Sequence, residues 1–294
     1  MGNVYTKSGA LAERIYFGSV LIWEKLVESE FIIEVDTTKA GTSNNDQFQF
    51  TGAQGNYNVV AKQSDVVVAT FNDLSNAATI TLPSSGVYVL EVTAKDVNGF
   101  NSIAFNNIGD KLKITDTKNW GNIVWSSFER AFFGCSNMLV TATDVPNLSN
   151  VINTSIMFSD CLIANPDVSN WDVSNVTDMS FTFRRMALAT PNVSNWNISN
   201  VTTTRQMFFS MDLANPDVSN WDVSNVTDMR NMINSTPNFS TANLTASYEN
   251  WSQLPLQQNV EFAAGVTKYN SSGQAGRDIL INTYNWTITD GGQV

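Results

Sequence analysis

Residues 164–179, "ANPDVSNWDVSNVTDM", return letter for letter at 214–229, and a looser copy, "ATPNVSNWNISNVTTT", stands between them at 189–204. A period of 25 residues constrains the fold more than any other feature of the chain. A unit that short cannot enclose a core, so each copy must bury its apolar face against its neighbours. Aligned, the copies give columns: Trp171, Trp196 and Trp221; Val173, Ile198 and Val223; Val151, Val176, Val201 and Val226; and Phe133, Phe158, Phe183 and Phe208, closing on Ile233. The expectation is a solenoid of short strands and short helices.

Within a unit, Val176, Met179, Phe183 and Met186 fall on one face of a helix, with Ser174 placed to cap it and Asp178 in its first turn. The preceding half, with Ile163 and Val168 about a turn, reads as an extended rung. Pro166, Pro191 and Pro216 recur there and cannot donate to a ladder, so any sheet is narrow. Two asparagine columns, Asn150, Asn175, Asn200 and Asn225, and Asn170, Asn195 and Asn220, are expected to be buried and bonded to the backbone of their own and neighbouring turns.

The rest of the chain reads differently. Residues 1–28 carry "RIYFGSVLIWEK", two β-rich runs about Gly18-Ser19, as a type II′ hairpin wants. A lone hairpin is marginal in water, so Ile15, Tyr16, Phe17, Leu21 and Trp23 form a candidate anchor to a partner. Residues 30–98 hold six runs, "FIIEVDTT", "DQFQFTG", "NYNVVAKQ", "DVVVATF", "ATITLP" and "GVYVLEVTA", the pattern of a small antiparallel sandwich. The repeats occupy 100–245 and a cap 246–294; the period fades after residue 236, and the chain from there is expected to form a final rung, a short hairpin, a helix near "GQAGRDILINTYN" and a last strand "WTITD". The fold class expected is mixed α+β.

Charge and composition narrow the function. With 16 basic against 27 acidic residues the net charge is −11, which repels nucleic acid. The absence of histidine removes the commonest general base and transition-metal ligand. No apolar run is long enough to span a membrane, and Glu13, Arg14 and Gly18 interrupt any secretory signal. Cys135 and Cys161, 26 residues apart, read as small buried hydrophobes on successive rungs rather than a disulfide. The columns Asp167, Asn192, Asp217 and Asp172, Asn197, Asp222 offer oxygens for Ca²⁺, but asparagine interrupts both, and turn capping is the favoured reading. The same interruption argues against a carboxylate pair for glycoside cleavage, and the chain is expected not to be an enzyme and to need no cofactor. The tryptophan column is read as core rather than a sugar platform. Asn165, Asp167, Thr190, Asn192, Asn215 and Asp217 form the candidate surface-binding row.

The units "VSNWDVSNVTDM" and the fragment "FFGCSNML" resemble BspA-like surface repeats, relatives of leucine-rich repeats, over residues 105–245. That resemblance implies surface display and binding rather than catalysis. "GVYVLEV" is similar to the last strand of immunoglobulin-like and polycystic-kidney-disease-type modules, and "RIYFGSVLIWEK" and "RDILINTYNWTITDGG" resemble the ends of bacteriophage virion proteins. Together they imply a virion surface protein, a head or tail-fibre decoration. It would join other virion proteins through its N-terminus and bind host surface or glycans through its repeats, with a homo-oligomer possible. A bacterial cell-surface adhesin and a glycan depolymerase are the alternatives.

Overall fold

The computed structural model describes residues 30–95 and 99–294, and before them the backbone of three short strands. Those are β1 (Val4–Tyr5), β2 (Leu11–Phe17) and β3 (Val20–Leu26), an antiparallel sheet in which Phe17 faces Val20. The expected Gly18-Ser19 turn lies outside the described residues, as do the side chains of Ile15, Tyr16, Phe17, Leu21 and Trp23.

All six strand-like runs of the next segment form strands: β4 (Phe31–Asp36), β5 (Gln47–Gln49), β6 (Asn56–Gln63), β7 (Val66–Ser75), β8 (Thr79–Thr81) and β9 (Val87–Ala94). Alternation decides which face each buries: Tyr57, Val59 and Ala61 on β6, and Tyr88, Leu90 and Val92 on β9, point into the core. β10 (Ile114–Asn119) and β11 (Leu139–Val140) complete a six-stranded sheet in the order β11-β10-β4-β9-β6-β7. β5 and β8 pair separately, and their Phe48 and Ile80 join the same core. β10 runs antiparallel to β4, so residues beyond 100 complete the sheet that begins at Phe31. Phe31, Phe100, Trp120 and Trp125 pack ring against ring, and one contiguous buried cluster extends from Phe31 to Trp286.

A buried ion pair fixes the loop between β4 and β5. Lys113 and Asp110 are both fully buried, with Nζ 3.7 Å from the carboxylate. The ammonium donates to the carbonyls of Ser43, Asn44 and Gln47, and Asp110 accepts from the amides of Thr42, Ser43 and Gln49. Burial holds the Lys113 ammonium below the ordinary lysine range, with Asp110 opposing that shift.

The repeat copies stack as expected, but not through helices. Among the described residues, none between 126 and 240 is helical. From Thr154 onward, alternate amides do different things. Those of Thr154, Ile156, Phe158 and Asp160 donate to the carbonyls of Asp178, Ser180, Thr182 and Arg184 in the next copy at 2.9–3.0 Å. Those of Met157, Ser159 and Cys161 close turns onto Thr154, Ile156 and Phe158, three residues back. The next copy repeats the scheme: Phe181, Phe183 and Arg185 donate to Arg205, Met207 and Phe209. Successive turns bring residues three or four apart to one side much as a helix does, which is why Val176, Met179, Phe183 and Met186 mimic a helical face. Ser174 accordingly caps no helix. The turns require left-handed backbone at two points in each rung, including Ile156 (φ 60°) and Asp160 (φ 60°), then Phe181 (φ 59°) and Arg185 (φ 60°). A β-branched residue there is strained, and the ladder on both sides holds it in place.

The core columns form as read, with one correction. Phe132, not Phe133, opens the phenylalanine column, because the first interval is 26 residues, as between Cys135 and Cys161. Phe132, Phe158, Phe183 and Phe208 stack at centroid separations of 5.7, 6.2 and 5.8 Å with nearly parallel rings. Trp196 and Trp221 lie in the core and donate their indole N–H to Val168 and Val193, both at 2.9 Å.

The last rung is covered by α1 (Thr241–Trp251), where a further rung was expected. Ser240 caps it, accepting from the Asn243 amide at 3.1 Å, and Leu244, Tyr248 and Trp251 are buried against the stack. α2 (Gln274–Asn282) and β13 (Thr287–Thr289) fall where the sequence places a helix and a strand, and β13 pairs in parallel with β12 (Glu261–Ala263), so no hairpin forms there. Gly276 lets α2 cross α1 closely: a Cβ there would collide with the Tyr248 carbonyl.

Candidate functional site

The polar row is largely occupied with architecture. Asp167, Asn192 and Asp217 each accept, through Oδ1, the amide of the serine two residues on, at 3.0, 3.3 and 3.0 Å. Asp172, Asn197 and Asp222 do the same with Ser174, Ser199 and Ser224 at 3.1, 3.1 and 3.0 Å. These are Asx turns, which need one side-chain oxygen and no charge. That explains why the middle copy carries asparagine at both positions. The Ser169 and Ser174 hydroxyls, then their amides, hold the Asp167 and Asp172 carboxyls below the ordinary aspartate range.

Asn165 and Asn215 peg one rung to the next, accepting the amides of Thr190 and Ser240 at 3.0 and 2.9 Å. Asn175, Asn200 and Asn225 donate to the carbonyls of Ser149, Ser174 and Ser199 in the preceding rung, at 3.0, 2.8 and 2.7 Å. The inter-rung role expected of them holds, but the side chains are exposed. Asn170, Asn195 and Asn220 are exposed too.

The turn ridge is where the copies differ. Residues 155–163 read "SIMFSDCLI", 180–188 "SFTFRRMAL", 205–213 "RQMFFSMDL" and 230–238 "RNMINSTPN". Inward positions stay mostly apolar, such as Met157, Met207 and Met232, while the outward ones change in every rung. Every basic residue between 119 and 267 lies in these turns or in the equivalent turn one rung earlier: Arg130 in the latter, then Arg184, Arg185, Arg205 and Arg230. Arg184 and Arg185 reach back to Asp160 at 3.6 and 3.0 Å, and Arg230 pairs with Asp228 at 2.6 Å. Arg184 lies over the Phe209 ring and Arg205 over the Phe181 ring, at 5.8 and 5.7 Å. Arg205 has no carboxylate within ion-pair range among the described residues, and its Nε is buried without a partner. Sequence reasoning passes over these arginines. The available signal is that the ridge changes in every rung, even between the two copies that are otherwise identical at 164–179 and 214–229.

Cys135 and Cys161 are buried free thiols on successive rungs, and burial pushes both well above the ordinary thiol range. Among the described residues no group of three or more histidine, cysteine, aspartate or glutamate side chains could hold a metal, and no helix is long and apolar enough to cross a membrane. Two shallow clefts flank the exposed Ile108, one beside the β5–β8 pair and lined by Thr42, Gln47, Gln49 and Thr79, the other lined by Gln54, Ser102, Glu129 and Arg130.

No curated protein and no solved structure matches this chain. Residues 126–248 match a family model described as "Mycoplasma protein of unknown function, DUF285", which supports reading the stacked copies as BspA-like repeats.

Proposed function

We propose that the chain is a non-enzymatic display protein. In this reading an immunoglobulin-like sandwich carries a solenoid whose turn ridge binds a host surface or glycan, and the N-terminal hairpin fixes the protein to a virion. One observation carries the proposal. The letters that repeat build the rungs through Asx turns, pegs and stacked rings, whereas those that change point outward on the ridge. A rigid scaffold with a variable outer ridge is the arrangement repeat proteins use for recognition. The candidate row is a poorer contact surface, since most of its oxygens already accept backbone amides. Weak contacts by many copies on one particle would add up through avidity. The match to a family described from Mycoplasma favours a second reading, in which the same ridge serves a bacterial cell-surface adhesin.

The test keeps the chain whole, because the core joins the sheet to the rungs and removing residues 100–294 would take β10 away from β4. Binding of the full chain to host cells and to immobilised glycans is compared with that of the double variant Arg184→Ser/Arg205→Ser and of Thr190→Ala. The ridge variant should bind at least tenfold more weakly and Thr190→Ala within twofold of the parent. Parent-like binding by the ridge variant would move the site elsewhere, and no binding by the parent to any surface would end the display reading. Deleting residues 1–28 should leave a folded protein that fails to join particles, and normal incorporation would refute the anchor.

A further inference from the structure

At one place the three copies of the repeat differ so as to leave a charge unanswered. Residues 178–180 read "DMS", 203–205 "TTR" and 228–230 "DMR". In the first and last, the aspartate closes the turn by accepting the amide two residues on, from Ser180 at 2.8 Å and from Arg230 at 3.1 Å. In the last it also takes the Arg230 side chain in two bonds, from Nε at 2.9 Å and from Nη2 at 2.6 Å. The middle copy has the arginine without the acid. Thr203 Oγ1 accepts the Arg205 amide at 3.3 Å, so the turn survives, but no carboxylate comes with it. The other arginines of the rungs are answered: Arg130 lies 3.5 Å from Glu129, and Arg184 and Arg185 share Asp160. Among the described residues Arg205 alone of the five has no carboxylate within ion-pair range, and its side chain donates to no acceptor. The guanidinium lies over the Phe181 ring, and only Nε of its three nitrogens is buried, which leaves the Nη edge at the surface.

We propose that Arg205 holds a carboxylate of the ligand, in the role that Asp228 fills for Arg230, and that the ligand is a glycan bearing uronate-type acid groups. The inference rests on the ridge being the binding face. A guanidinium presents paired N–H donors that match the two oxygens of a carboxylate, and the charge on both partners strengthens the bonds. Stacking on Phe181 holds the plane of the guanidinium before the ligand arrives, which lowers the ordering cost of binding. The neighbours suit a sugar. Gln206 accepts the Arg184 Nε–H on Oε1 at 3.2 Å, which leaves its amide NH2 to donate to a ring hydroxyl, and Thr203 adds a hydroxyl of its own. A polyanion fits poorly, because the whole chain carries a net charge of −11. A single carboxylate at Arg205 answers a single cation, and at physiological salt charges beyond about 8 Å are largely screened. Acid groups spaced among neutral sugars therefore match the site better than a uniformly charged chain.

The full chain is titrated, with detection by NMR, against cellobiouronate, a glucuronate linked to glucose, and against its methyl ester, which lacks the charge. The acid should bind about tenfold more tightly than the ester. Arg205→Gln should bring the acid down to the level of the ester. Thr203→Asp should do the same by supplying the missing carboxylate from within. Aspartate closes this turn in the two flanking copies, so that variant should leave the circular dichroism unchanged. Equal binding of acid and ester by the parent would overturn the proposal, as would binding of neither. Acid selectivity kept in Thr203→Asp would overturn it too, by placing the carboxylate at another arginine. The two readings separate cleanly. If Arg184→Ser/Arg205→Ser loses cell binding while acid and ester bind the parent alike, the ridge is the binding face and the acid class is wrong. Acid-selective binding by a parent that adheres to no cell or immobilised glycan would keep the carboxylate site and end the display reading.

Discussion

The sheet around β4 and the rungs beyond residue 126 are both backbone ladders, yet they are written in different alphabets. In the sheet, alternation along each strand separates core from solvent, and the partner strand lies far away in sequence: Phe31 faces Val92. In the rungs, alternation belongs to the amides, one closing a local turn and the next reaching the following copy. Side chains of the sheet therefore follow a period of two, while those of the rungs follow the turns. What differs is where information is carried. The sheet uses every other residue for its core. The rungs use fixed letters for turns and pegs, which leaves the ridge free to vary.

The largest expected effects test whether the two regions are separate bodies. Replacing Phe183 by alanine removes a fully buried ring from the stacked column and should cost about 3–5 kcal/mol. Because the buried cluster is continuous, sheet and rungs should lose structure in one transition, followed by tryptophan fluorescence and far-ultraviolet circular dichroism. Two separated transitions would show that the sheet stands alone. On the sheet side, Lys113→Met strands the Asp110 carboxylate without its buried partner and should cost about 3–5 kcal/mol by urea denaturation.

Smaller effects probe the alphabet of the rungs. Asp172→Ala removes an Asx-turn acceptor and should cost about 0.5–1.5 kcal/mol, whereas Asp172→Asn should stay within about 0.5 kcal/mol. An equal loss in both would mean that charge, not the oxygen, is what the position needs. Ile156→Asn relieves a left-handed β-branched residue and should not destabilise the protein, since Asn231 already occupies the equivalent place at φ 53°. The smallest effect is in pH. The Asp167 and Asp172 carboxyls are depressed when folded, so their contribution is present above the unfolded aspartate pKa of about 3.9 and is lost as pH falls through the lowered values. Carboxyl titrations followed by NMR should show both midpoints below the ordinary range, returning towards it in Ser169→Ala and Ser174→Ala respectively.

Legibility follows the same division. β5, β6, β8 and β9 fall within runs of period-two alternation bounded by turn residues, a pattern that little besides a half-buried strand produces, whereas β4 and β7 are read from their β-branched runs alone. The columns Trp196–Trp221 and Phe158–Phe183–Phe208 are equally plain, since a repeat aligns its own core. The conformation between columns is not: apolar residues three or four apart suit a helix and a run of turns alike, and only the hydrogen-bond partners distinguish them. α1 is hard to see in the sequence because serine, threonine and asparagine dilute its helical signal, although Ser240 as a cap and Leu244, Tyr248 and Trp251 on one face are there to be read. Of the candidate row, the oxygens go to Asx turns and pegs, an outcome hinted at by the asparagine for aspartate exchange at Asn192 and Asn197. The ridge arginines do not show in the repeat columns, because they stand where the copies differ.

The central claim is that alternate amides of each turn segment bond to the next copy. Scalar couplings across hydrogen bonds, measured by NMR on isotopically labelled protein, observe those partners directly. The account predicts coupling from the Phe158 amide nitrogen to the Thr182 carbonyl carbon, and from Phe183 to Met207. Coupling from Phe158 to the carbonyl of Thr154, four residues back, would mean a helix and would contradict it.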